Sequence, residues 1–397
     1  QEAERVANEA AALLGVAWRP ALWEVVSGSK LAEVLADWGC DASDREEAVR
    51  ILRAELGTEQ DGQEWLRARL GALVRWGVRH EHALALDAAL SPADAAGRRW
   101  MRVEYKDKAR RGGRLYPSGV PWRRDDGDPR PVSTQGMPAD LRPKLTGEHF
   151  HDIDGINSDF VIYTILAREA GFPPSDTEQI RRHNEDRARW QREVAEYYSL
   201  HGSGDADALV PLVKRWPNKL ANGSGHGALL REGGLPLDME PCPLVRRMAT
   251  ELHKLKQKLL AHHTDFVARH SARLQSESLD AFDLGKTLFS LLVQTKEAEI
   301  LQIVTTAIQQ LNASKGFEMT DSGVLMFDGH MFALHPSFRP EVALDVVHAS
   351  LEEAGYGEYR QCIKPNFGLQ DEPVASAVER RRALHEVMEQ YGVSGQP

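Results

Sequence analysis

The chain is short of cysteine, has no long apolar run and carries no tandem repeat, and each absence narrows what it can be. Its three cysteines, Cys40, Cys242 and Cys362, are odd in number and widely spaced in 397 residues. That excludes a disulfide framework and any CxxC zinc site, and it suits a reducing compartment. No stretch approaches the roughly 18 consecutive apolar residues of a membrane span, so no membrane partner is expected. Nothing near the start reads as a signal peptide, and an opening Gln1 in place of Met is what a trimmed leader leaves. A composition of 42% apolar and 27% charged residues excludes wholesale disorder. The expectation is a soluble, intracellular globular protein, long enough for two or three packed subdomains.

The net charge is −10, which taken alone argues against a nucleic-acid binder. The average hides a local reversal. From Arg98 to Arg124, ten basic residues stand against Glu104 and Asp107, a local +8 that leaves −18 on the rest of the chain. Trp100, Tyr105, Tyr116 and Trp122 are interleaved with these cations, as a surface that tracks phosphates and stacks on bases requires. The plainer reading is a solvated helix face followed by a basic linker.

Residues 1–95 read as helical, with apolar residues at helical spacing at Leu31, Val34, Leu35 and Trp38 and again at Leu66, Leu70, Leu73 and Val74. Gly, Pro, Asp and Arg dominate 112–143, which predicts loop with short extended pieces. A short strand is expected over 150–154, then an apolar helix over 160–170. Further helices are expected near 176–200, 206–230, 243–275 and 281–313. Two apolar runs around Asp328-Gly329 predict a hairpin, with the Asp-Gly pair as a type I′ turn. A helix over 340–354, a strand near 358–364 and a charged helical tail complete the chain. The fold class is α+β: a small antiparallel sheet covered by helices.

Two acidic groups carry the chemistry. Asp152 and Asp154 lie two apart on the expected strand and share a face, and Asp328 stands at the tip of the hairpin. Carboxylates brought together at strand ends suit a pair of Mg²⁺ ions, which want hard oxygen ligands and can hold both oxygens of a phosphoryl displacement. Asp328 also has an ordinary explanation as a turn residue before Gly. His149 and His151 are expected on the same face as the acids, which leaves a transition-metal hydrolase centre open.

The order of the motifs resembles the polymerase region of family A DNA polymerases, in the diverged form found in large DNA viruses and mobile elements. Gly113-Arg114-Leu115, Ser133-Thr-Gln135-Gly-Met-Pro138 and Leu141-Arg142 resemble the stretch that contacts primer–template. Asp154-Gly-Ile-Asn-Ser-Asp159 resembles motif A, whose first Asp binds metal and whose acidic residue five positions on lies by the sugar of the incoming nucleotide. Arg215-x3-Lys219-x2-Asn222 resembles the fingers helix that grips the triphosphate. Ser290 to Gln294, with Glu299 five residues later, resembles the helix that feels the duplex minor groove. Leu325-Met-Phe327-Asp328 resembles motif C, whose Asp is the second metal ligand.

The departures are Gly329 for the usual Glu, Phe327 for His, Asp159 for Glu, and Gly223 where a base-stacking aromatic is the rule. Pro217, falling between Arg215 and Lys219, predicts that the helix begins near Pro217 with Arg215 just before it.

The resemblance implies a right-hand polymerase fold with a small antiparallel palm sheet and large helical thumb-like and fingers-like regions. Its parts would be a thumb-like 1–112, palm over 113–165 and 276–372, a fingers-like insertion over 166–275, and a helical tail over 373–397. It implies a primer-extending DNA polymerase that uses two Mg²⁺ ions, with Mn²⁺ as a substitute, and deoxynucleoside triphosphates. Asp154 and Asp328 would hold the metals, and Lys219, with Arg215, would neutralise the leaving pyrophosphate. Asp159 and Asn222 would meet the nucleotide, and Arg114, Gln135, Arg142, Ser290 and Gln294 the primer–template. Replication partners and a cytoplasmic, nuclear or viral replication-site location follow from the same resemblance. The competing expectations are a polymerase-like nucleic-acid-binding scaffold and a metal-dependent nuclease or phosphohydrolase.

Overall fold

Alternation within Arg98–Asp107 decides the N-terminal architecture. Met101, Val103 and Tyr105 are buried while Arg102, Glu104 and Lys106 are exposed, the period of two that a half-buried strand imposes. The structure, a computed structural model, describes residues 20–36, 83–107, 115–118, 121–123, 129–131, 133–137, 141–147, 149–201, 205–275, 281–317, 321–326 and 328–364. Arg114, Phe327 and the tail after 373 lie outside the described residues.

Strands β1 (Ala21–Ser27), β2 (Arg98–Asp107) and β3 (Leu115–Ser118) form a three-stranded antiparallel sheet in that order. The helical expectation for 1–95 is corrected here, because β1 is a strand. The helix α1 (Gly28–Ala36) and a helical stretch at 83–89 supply the rest of the described N-terminal region. The described start of the basic run, Arg98 to Lys106, therefore lies on a strand instead of a helix face. Arg102 lies over the half-exposed ring of Trp23, 5.6 Å from its centroid, and Arg98 over Trp100 at 5.3 Å. The pairing of β2 with β3 also crosses the boundary expected at residue 112. Strands β4 (Pro121–Arg123) and β5 (Pro129–Pro131) form a small ribbon, and the short helix α2 (Leu141–Thr146) follows.

The central sheet has the order β7 (Gly323–Leu325), β8 (Gly329–Phe332), β6 (His151–Gly155) and β9 (Gln361–Lys364), antiparallel throughout. Trp23 bridges it to the first sheet: its N–H donates to the Asp321 carbonyl at 2.9 Å, and it pairs in parallel with Ser322. Between β6 and β7 the described residues are mainly helical. It runs through α3 (Ser158–Glu169), a 3₁₀ turn at Pro174–Thr177, α4 (Glu178–Glu185), α5 (Arg187–His201), α6 (Ala206–Val213), α7 (Trp216–Ala221), α8 (His226–Glu232), α9 (Pro243–His262), α10 (Thr264–Gln275) and α11 (Ala281–Ala313). The last helix among the described residues, α12 (Pro340–Glu353), precedes β9.

Helix α11 is the spine of the molecule. Its 33 residues reach about 50 Å at 1.5 Å per residue. Phe289, Val293, Ile300 and Val304 enter the large core shared with α3, α5, α7 and α9. Leu301 enters the core beneath the N-terminal sheet with Val103, Tyr105 and Leu325, and Leu288 and Leu291 pack with Leu274 of α10. Between Leu284 and Ala313 only Glu299, Thr306 and Gln310 are exposed, so neighbouring elements cover nearly every face of this helix despite its charged residues. The α+β class expected from the sequence is the class observed.

Candidate functional site

Strand β6 sets two acids on one face of the central sheet. Asp152 and Asp154 alternate with the buried Ile153, and the β9 register places Lys364 opposite Asp152 and Cys362 opposite Asp154. Lys364 Nζ lies 2.8 Å from Asp154 Oδ2.

Asp328 reaches Asp154 from the other side. Met326 and Gly329 exchange both backbone hydrogen bonds across the hairpin end, at 2.9 and 3.4 Å, which leaves Asp328 at the tip. This corrects the expected Asp328-Gly329 turn pair, for Gly329 belongs to β8, opposite Asp154, and is not among the glycines with positive φ. Glycine is needed there for space: a Cβ would run into the Ile153 carbonyl and stand 3.0 Å from Asp154 Oδ1. The Gly155 N–H donates to the Asp328 carbonyl at 3.0 Å, closing the acidic pair from the backbone.

The electrostatics follow from this crowding. Burial, then the Asp154 charge and a hydrogen bond with Asp154, push the Asp328 carboxyl up to about 6. Burial also raises Asp152, against the pull of Lys364, and its buried Oδ1 has no hydrogen-bond partner. Like charges held together resist joint ionisation, and a divalent cation relieves the same repulsion that a shared proton does. The donor set fits Mg²⁺ or Mn²⁺, which take carboxylate oxygens and leave positions for water and substrate. Among the described residues no group of three or more His, Cys, Asp and Glu is assembled as a metal cage.

His151 does not join the acids. His151 projects from the opposite face of β6, because neighbouring strand residues alternate. Its ring centroid lies 5.9 Å from that of Phe332, its register partner, and burial lowers its basicity. The expectation that His149 and His151 share the acids' face fails for His151 by one residue of pleat.

A tight turn carries the chain from the acids to a second set of expected residues. Asn157 adopts a left-handed φ of 52°, which Asn tolerates, and its Oδ1 accepts from Arg187 at 2.9 Å. Asp159 then falls in the first turn of α3, where a helix N-terminus favours negative charge. Asp159, Asn218, Asn222, Ser290 and Gln294 line one pocket of about 110 Å³, with Tyr163 and Lys286. Gln294 Nε2 donates to Ser290 Oγ at 3.0 Å. Four residues singled out by the sequence, drawn from three separate segments, thus meet here.

Arg215 and Lys219 do not line that pocket. Arg215 caps the N-terminus of α7, with Pro217 in the first turn as expected. Glu232 of α8 pairs with both cations, with Arg215 Nη2 at 3.1 Å and Lys219 Nζ at 2.5 Å. Gly223, in place of an aromatic, ends the helix with a left-handed φ of 83°, and the Ser224 N–H donates to the Lys219 carbonyl.

The expected duplex contacts Gln135 and Arg142 are engaged inside the protein. Gln135 Nε2 donates to the carbonyls of Leu115 at 3.1 Å and Leu325 at 2.5 Å. The Arg142 guanidinium donates to the carbonyls of Thr134, Gln135 and Met137. Gln135 thereby ties the loop at 133–137 to both sheets, and Arg142 ties it to α2. Sequence reasoning missed Lys364, Glu232 and Tyr359, whose hydroxyl meets Ser158 Oγ at 2.8 Å beside Gly155. None of the three sits in a motif; only strand register and helix packing bring them in.

No protein-family model matches this chain, and no curated protein sequence matches it. No helix among the described residues is long and apolar enough to cross a membrane.

Proposed function

We propose that the protein is a primer-extending DNA polymerase, carrying out template-directed nucleotidyl transfer on a right-hand polymerase fold of the family A type. The observation that carries this reading is the meeting of Asp154 and Asp328 on adjacent strands, with a pocket lined by Asp159, Asn222, Ser290 and Gln294 at the start of the next helix.

Asp154 and Asp328 would hold a divalent cation, with Mg²⁺ the natural choice and Mn²⁺ its substitute. Bound there, a pair of such ions supplies Lewis acidity to a primer 3′-hydroxyl and to the phosphate it attacks. The chain's own residues do the rest. Asp159 and Asn222 bound the sugar pocket of a nucleoside triphosphate. Lys219 and Arg215 neutralise the departing pyrophosphate once Glu232 releases them. Gln294, held by Ser290, meets the primer–template from α11. Arg102 and the half-exposed Trp23 extend the nucleic-acid surface along the outer face of β2.

The test is a primer-extension assay with Mg²⁺, deoxy- and ribonucleotides supplied separately on DNA and RNA templates, and Asp328→Ala as the blank. Templated extension lost in the variant is expected. Turnover undiminished in Asp328→Ala would sink the assignment.

A second reading, a polymerase-like nucleic-acid-binding scaffold, is favoured by the pairing of Arg215 and Lys219 with Glu232. It predicts duplex binding with no extension under any condition. The hydrolase reading loses its histidine ligand at His151, which faces away from the acids.

A further inference from the structure

Lys364 is the cation of the acidic site that is free to move. The register of β9 sets it on the face that carries Asp152 and Asp154, and its ammonium lies 2.8 Å from Asp154 Oδ2. Arg142 is the other positive group whose charge acts on Asp152, but its guanidinium is spent on three backbone carbonyls. Lys364 has no comparable tie among the described residues. Its side chain is 37% exposed, so a four-carbon stem can swing the ammonium into solvent.

We propose that Lys364 is a built-in counter-ion: it holds Asp154 Oδ2 from the β9 side, and a divalent cation held by Asp154 and Asp328 binds against its charge and displaces it. The proposal rests on the reading of Asp154 and Asp328 as metal ligands. An ammonium has donors and no acceptor, so it cannot bridge to a metal and can only exclude one. Two positive centres on one carboxylate repel each other, so the ammonium on Oδ2 weakens the hold of a cation on the remaining oxygen.

The consequence is functional. With Lys364 in place, a lone cation binds weakly. A cation that arrives with a triphosphate brings further oxygen ligands and outcompetes the ammonium. Metal occupancy is thereby coupled to arrival of the nucleotide, and the three carboxylates Asp152, Asp154 and Asp328 stay partly neutralised between turnovers.

The test measures Mn²⁺ affinity by electron paramagnetic resonance of the free ion, on the full chain without nucleotide or nucleic acid. Lys364→Met is expected to bind Mn²⁺ about tenfold more tightly than wild type, the worth of a half-buried ion pair removed from competition. Lys364→Arg, which keeps the charge, is expected to stay within about twofold of wild type. Thermal melting checks that each variant folds. A Lys364→Met protein that melts cooperatively only with Mn²⁺ present also supports the proposal, since the dication then replaces the lost ammonium. Should that variant fail to fold even with Mn²⁺, Lys364→Gln is titrated against the same expectation.

Mn²⁺ binding that Asp328→Asn abolishes and that Lys364→Met leaves unchanged or weakens overturns the counter-ion role alone. Absence of Mn²⁺ binding at millimolar concentration, in wild type and in Lys364→Met alike, overturns the metal reading and this proposal with it.

Discussion

Two buried carboxylates in this molecule live in opposite company. Glu24, in β1, is fully buried and fully served: the Tyr105 hydroxyl donates to one oxygen and the Thr134 N–H to the other, each at 2.5 Å. Asp328, at the β7–β8 tip, is pressed against a second carboxylate. Burial raises the pKa of both. At Glu24 every neighbouring group works against that rise, whereas at Asp328 the Asp154 charge adds to it. A carboxylate surrounded by donors is there to hold the fold, while one held beside its like stores repulsion that only a proton or a cation relieves. On the proposed function, that difference separates a structural acid at Glu24 from a metal-binding one at Asp328.

The largest expected effect is on activity. Asp328→Ala should lower primer extension by about a thousandfold or more, while leaving the melting temperature equal to or above that of wild type, because a like-charge contact is gone. Extension rates and a thermal melt read both halves.

Next comes the opposite pattern at the other acid. Glu24→Ala leaves the Tyr105 hydroxyl and the Thr134 N–H buried and unpaired, and should cost about 3–5 kcal/mol of stability in denaturant titration. If Glu24→Ala instead abolished extension in a fully stable protein, the structural assignment would fail.

A third measurement uses pH. Asp328 has a folded value of about 6, above its ordinary 3.8. The folded state therefore binds the extra proton between these values, and stability should fall as pH rises from about 4 to about 6. The expected loss is about 2 kcal/mol, absent in Asp328→Asn. Saturating Mg²⁺ should reduce the loss by taking the proton's place. A stability profile flat across that window in metal-free wild type would break the comparison.

The smallest effect is expected at the cationic pair. Glu232→Gln weakens the hold on Lys219 and Arg215 and should tighten nucleoside triphosphate binding by a few-fold, the worth of a half-exposed ion pair. Equilibrium binding of a nucleotide in Ca²⁺ would read it.

Legibility in the sequence tracked how local each cause is. The β6 strand, the α3 helix, the β7–β8 hairpin and the start of α7 near Pro217 were readable because alternation, helical spacing and a proline act within a few residues. Asp154, Asp159 and Asp328 stood out as acids bordering apolar runs. The β2 strand was misread because its alternation lies inside a charge run that resembles a helix face. The hairpin register slipped by one because Asp-Gly is a strong turn signal, whereas Gly329 is present for the close approach of Asp154. His151 was placed on the wrong side by the same unit of pleat.

What the sequence by itself determined is the class of the fold, the helices between β6 and β7, and the residue types capable of the chemistry. Each of these is set by short-range periodicity and by the chemistry of a side chain, which do not need a partner. Only the tertiary structure decided which charges neutralise one another. Lys364 meets Asp154 across strand register, Glu232 meets Lys219 across two helices, and Gln135 reaches Leu325 from 190 positions away. Such pairings depend on how sheets and helices close over long chain separations, and the energy of a charge depends on what that closure brings beside it.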